Sequence, residues 1–131
     1  MLLRRYVVII LMVLLVFPSL SITSEPNDIF AIAGFATQNG GTTGGFGGVE
    51  EHVTTGQEII DLLDQKRHGE ITQPLIIYVE DTITPANTPV EKIDIKDVSD
   101  ISLIGVGKKG EFNGIGIKIK EASNIIIKNL T

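Results

Sequence analysis

The chain contains no cysteine, so it has neither a disulfide framework nor a thiolate metal site. Its uncharged apolar stretches are short. The longest runs from Tyr6 to Phe17, 12 residues, against the roughly 20 that a bilayer-spanning helix requires. Basic residues are scarce, 11 against 16 acidic ones, which argues against nucleic acid or an anionic membrane as partner. A phosphate-binding P-loop is excluded, because no Gly-Lys-Ser or Gly-Lys-Thr follows any of the glycines. Helix-length amphipathic patterns are also rare, and only one is convincing.

What is present begins with a leader. Arg4 and Arg5 precede the apolar run, and Pro18, Ser19, Ser21, Thr23 and Ser24 follow it. That order of parts predicts a secretory signal peptide over 1–24, cut after Ser21 or Ser24, and hence export from the cell. Arg4 and Arg5 leave with it, so 9 basic residues face 16 acidic ones, a net of −7 for a single domain over 25–131. Such a charge keeps a secreted protein soluble, and a polyanion would need a local basic cleft or a bridging cation.

Six glycines fall between Gly40 and Gly48. The stretch is predicted as a loop that is either flexible or routed where only glycine fits. A helix is predicted over 54–68. Thr55 and Glu58 form a capping box, Ile59, Ile60, Leu62 and Leu63 line one face, Lys66, Arg67 and His68 close the last turn, and Gly69 ends it. After Pro74 the texture becomes strand-like, at 75–79, 92–96, 101–104, 115–120 and 124–127.

Ile93 to Leu103 lies over Ile117 to Ile127 at an offset of 24 residues. Isoleucines coincide at 93/117, 95/119 and 101/125, lysine at 96/120, an acid at 97/121, serine at 99/123 and Asp/Asn at 100/124. Two short strands per unit with no helix between them predict the coil of a β-solenoid, with inward apolar rows and the option of Ser or Asn ladders. The Leu-x-x-Leu-x-Leu pattern of a leucine-rich repeat is absent.

Gly34-Phe-Ala-Thr with Gly-Gly-Thr-Thr-Gly-Gly at 40–45 resembles the N-terminal signature of the pectate lyases of polysaccharide lyase family 1. Val53-Thr54-Thr55 before the helix, Pro74 to Val79 with Thr82-Ile83, Ile101 to Gly107, Gly114 to Lys120 and Ala122 to Leu130 follow in that family's order. The resemblance runs from Gly34 to Thr131. It implies a right-handed parallel β-helix, here partial, with the helix at 54–68 capping its N-terminal end. It also implies calcium-dependent β-elimination of an acidic polysaccharide, polygalacturonate, by a monomer. In that family calcium bridges acidic groups and the uronate, and an arginine abstracts the proton. The groups that do this lie on later coils. Tryptophan is absent, and the only arginine after the leader is Arg67, so no residue inherits a catalytic, substrate-binding or metal role. The chain is therefore read as an N-terminal portion, inactive and poorly soluble by itself. The competing readings are a non-catalytic β-helix module and a truncated product.

Other motifs have plain structural readings. Gly105-Val-Gly107-Lys-Lys-Gly110 spells GxGxxG, but no helix opens at its third glycine, so it is read as a turn. Asp94, Asp97 and Asp100 stand three apart, a spacing that sends neighbours to opposite faces of a strand and does not gather a metal site. Glu50-Glu51 and Glu80-Asp81 are read as surface charges. His68 suits the helix end, and His52 has no identifiable partner. Asn129-Leu130-Thr131 is a glycosylation sequon, in which an inward asparagine is the preferred reading.

Overall fold

A computed structural model of the chain describes residues 34–131, and the leader read at 1–24 lies outside them. After a kinked pair of 3-10 turns (Gly34–Gly40) come strand β1 (Val49–Val53), helix α1 (Gly56–Arg67), β2 (Leu75–Val79), β3 (Thr82–Ile83), β4 (Lys92–Lys96), β5 (Ser99–Gly105), β6 (Glu111–Phe112), β7 (Gly116–Lys120) and β8 (Ser123–Lys128). Every strand pairing is parallel. One sheet has the order β1-β2-β5-β8, and the pairs β3-β6 and β4-β7 make two smaller ones. Sheet neighbours are thus separated by whole circuits of the chain. The described residues form a partial parallel β-helix with one α-helix.

The repeat seen in the sequence sets the register. Ile93 pairs with Ile117 and Ile101 with Ile125, each at the offset of 24. The circuit before is slightly longer, Leu75 pairing with Ile101. Alternation along the strands turns Leu75, Ile77, Val79, Ile93, Ile95, Ile101 and Leu103 into one buried core, joined by Ile83 of β3. Burying each of these side chains is worth about 1.5–3 kcal/mol.

Helix α1 closes one end of this core with Ile59 and Leu63, both fully buried. It starts as its sequence requires. The Thr55 hydroxyl accepts the Glu58 N–H, and the Glu58 carboxylate accepts the Thr54 and Thr55 N–H groups at 2.8 and 3.1 Å. These bonds hold the Glu58 carboxyl below its usual pKa, the Thr54 backbone contributing most. His68 caps the other end and Gly69 takes φ +77° beyond it. Arg67 fastens the helix to β4. Its Nε donates to the Lys96 carbonyl at 3.1 Å, and its guanidinium pairs with Asp64.

Three strands lie outside the ranges predicted from strand-like texture, namely the two-residue β3, β1 and β6. β1 is Val-Glu-Glu-His-Val, with little apolar alternation, and exists because all five residues pair with β2. β6 is only two residues long and is held by β3. β5 also runs further than 101–104, from Ser99 to Gly105.

Candidate functional site

The outer face of the four-stranded sheet carries two rows of side chains. In register they are Glu50, Ile76, Ser102 and Ile126, then His52, Tyr78, Ile104 and Lys128.

The glycine-rich loop lies across the first row, which buries Ser102 completely. The Gly45 N–H donates to Ser102 Oγ at 2.9 Å. A Cβ at Gly45 would sit 2.1 Å from the Leu75 carbonyl oxygen, and one at Gly48 would sit 1.7 Å from that of Pro74. The glycines are there because the loop's backbone lies directly on another backbone.

One corner residue fixes the far end of this loop. Asn124 Oδ1 accepts the N–H groups of Thr43 and Gly44, at 2.8 and 2.9 Å, and its Nδ2 donates to Asp100 Oδ1 at 2.7 Å. Asp100 and Asn124 occupy equivalent positions of successive coils, both left-handed at φ 60° and 54°. Asp97 and Glu121 form a second such pair, at φ 54° and 51°. The inward Ser or Asn ladder that the repeat left open is not what forms; the stacked pair here is Asp100 with Asn124, and it runs along a corner rather than inside the core. The Asn124 amide, then the Ser99 hydroxyl, hold the Asp100 carboxyl below the usual aspartate range.

The second row carries the most chemically capable group. The His52 ring stacks on Tyr78, with centroids 4.8 Å apart and an interplanar angle of 27°, and its Nδ1 lies 2.6 Å from Glu80 Oε1. Burial, then the charge of Glu50, raises the Tyr78 pKa. Sequence reasoning left His52 without a partner and Glu80 as a simple surface charge. The two residues meet only because β1 and β2 pair in parallel, and no local pattern announces that. The His52 side chain is exposed, whereas Tyr78 and Glu80 are half-buried.

The remaining candidates sort as follows. Asp94, Asp97 and Asp100 do not converge. Asp94 is exposed on β4, Asp97 pairs with Lys96 at 3.2 Å, and Asp100 serves the corner. Among the described residues no group of three or more His, Asp or Glu side chains is placed to hold a metal ion. Arg67 is committed to backbone carbonyls and Asp64. The GxGxxG glycines form a turn that leads into β6, and a Cβ at Gly105 would meet the Asn129 carbonyl oxygen at 2.0 Å. Asn129 is not inward as anticipated. It is exposed at a left-handed turn, and its amide donates to the carbonyls of Gly105 and Gly107 at 2.7 and 3.0 Å.

Comparison with known proteins gives this geometry its setting. A sequence model of the pectate lyase family matches residues 7–131. A pectate trisaccharide-lyase of Bacillus licheniformis is 55% identical over 101 residues, covering 77% of this chain and 29% of the relative. Pectate lyase E of Dickeya chrysanthemi is 31% identical over 108 residues, covering 76% of this chain and 26% of the relative. A pectate lyase of Bacillus sp. N165, solved in complex with trigalacturonate, superposes with a TM-score of 0.72 at 45% identity, covering 76% of this chain and 33% of that one. The chain thus spans less than a third of the length of these two curated relatives. With a parallel β-helix, and with sequence likeness across nearly its whole length, the chain belongs to the pectate lyase family.

Proposed function

We propose that this chain is the N-terminal part of a secreted, monomeric pectate lyase that cleaves polygalacturonate by calcium-dependent β-elimination, and that by itself it is inactive. The observation that carries the reading is the likeness to a lyase solved around trigalacturonate, at 45% identity and a TM-score of 0.72. The described residues do not fit a calcium ion. No three of their acidic side chains converge, and two aspartates are already tied, Asp97 to Lys96 and Asp100 to Ser99 and Asn124. Arg67 does not fit a proton-abstracting role either, because its guanidinium bonds the first coil to the helix. In this reading the reacting groups and the cation belong to other turns of the β-helix, and the described turns supply a rigid, capped start for them.

The test is a chimaera in which residues 34–131 replace the matching segment of the Bacillus licheniformis lyase. Unsaturated product, followed by ultraviolet absorbance, is expected from the chimaera on polygalacturonate and is lost with a calcium chelator. The 131-residue chain alone should release none. A soluble, folded chimaera without activity would favour a non-catalytic module. Product from the chain alone would sink the claim that it is inactive. Recovery of the chain from the culture medium, shortened at its N-terminus, tests secretion.

A further inference from the structure

Residues 51, 77, 103 and 127 share one inward position on successive coils, as the register of β1, β2, β5 and β8 shows. Ile77, Leu103 and Ile127 are apolar there, and the first of the column is Glu51. Ile77 and Leu103 are buried, whereas Glu51 is exposed. Its neighbours on the same face of β1 are Val49 and Val53. One carboxylate therefore interrupts an apolar inward row, and it does so on an edge strand of the large sheet. That edge has a free backbone. The Val49 N–H donates to the Pro74 carbonyl, and the Glu80 N–H donates to the Val53 carbonyl. In a parallel ladder this directs the amides and carbonyls of Glu50 and His52 away from β2. Among the described residues no strand pairs with them. Helix α1 leaves room beside the edge, where Glu51, Val53, Glu58, Asp61 and Leu62 line an open groove.

Unpaired backbone groups flanked by apolar side chains are a template for strand addition. An incoming strand would cover Glu51, and burying a carboxylate without a cation is costly. No described lysine, arginine or histidine forms an ion pair with Glu51, and Glu58 and Asp61 in the same groove carry its own sign. The antiparallel pairing of two copies of β1 that uses all five residues sets Glu51 directly against Glu51 of the second copy, a repulsive cross-strand pair. Without that clash the same register is favourable, because it sets Glu50 against His52 and valine against valine. We propose that Glu51 guards this edge, keeping the chain from pairing through β1 with a second copy of itself. The guard needs only a free strand edge and an inward carboxylate, so it stands whether or not the lyase reading does.

The test compares Glu51→Val and Glu50→Val with the parent 131-residue chain. Each removes one negative charge from β1 and raises its strand propensity, but only the first changes the inward row. Both positions are exposed, so neither change opens a cavity, and unchanged circular dichroism shows that the fold survives. In sedimentation, Glu51→Val should shift to a dimer as its concentration rises, while Glu50→Val keeps the parent's distribution. Hydrogen exchange locates the contact. The Glu50 and His52 amides of Glu51→Val should exchange about ten-fold more slowly at the higher of two concentrations, and those of the parent should not change. No shift in Glu51→Val, or an equal shift in both variants, would overturn the proposal. So would an association that protects β8 and leaves the β1 amides as they were.

Discussion

Asn124 shows how much a single side chain organises. It closes five polar partners, namely two loop N–H groups, the Gly44 carbonyl, the Asp100 carboxylate and the Thr43 hydroxyl. Replacing it with alanine leaves the Gly44 N–H, on a buried residue, without an acceptor, which costs about 1–3 kcal/mol. Asn124→Ala should therefore lower the urea midpoint and release the glycine loop from the sheet face. It should also change the acid limb of stability. Asp100 titrates lower when folded than its free value of 3.8, because the Asn124 amide favours its charged form. Its contribution is present above pH 3.8 and is lost as the pH falls through the lower folded value. In Asn124→Ala that part of the pH dependence below 3.8 should flatten, measured as unfolding free energy against pH. A variant that kept both the parent's midpoint and its acid slope would show that the corner network is incidental.

At the scale of elements, α1 follows from its own sequence and β1 does not. The helix was legible because its signals are local, with Thr55 and Glu58 three apart and Ile59 and Leu63 four apart. Thr55→Ala removes the acceptor for the Glu58 N–H and should cost about 0.5–2 kcal/mol, read as a lower thermal midpoint with the helix ends fraying first in hydrogen exchange. An unchanged midpoint would mean that packing on β1 and β4 holds the helix without the cap. The strands at 92–96 and 116–120 were legible through period-two alternation and the 24-residue offset, which the observed register reproduces. β1 was hidden because three of its five residues are Glu, Glu and His, and its stability comes from pairing with β2 across 26 positions. The same physics hid the His52–Tyr78–Glu80 cluster, which local patterning cannot assemble. The Asp100/Asn124 match was visible as a repeat, yet its place on a corner depended on left-handed backbone that no periodicity reveals.

At the scale of the molecule, each coil rests only on its neighbours and α1 closes the first of them. A solenoid of this kind spreads damage by nearest-neighbour contact rather than all at once. Leu63 is 2% exposed and belongs to the same core as Ile93 and Ile95 of β4. Truncating it to alanine should cost about 2–5 kcal/mol, because the cap cannot collapse far while Arg67 holds its end to the Lys96 carbonyl. The loss should be graded in space. Amide protection should fall most in β1 and β4, which α1 contacts, less in β5, and least in β8, which lies at the other edge of the large sheet from β1. Hydrogen exchange of Leu63→Ala against the parent chain tests this directly. A gradient from β1 to β8 would mean that the helix acts as an end cap on a stack of semi-independent coils. A uniform drop across all strands would mean that the described turns unfold as one cooperative unit, and that α1 is part of a single core rather than a lid on it.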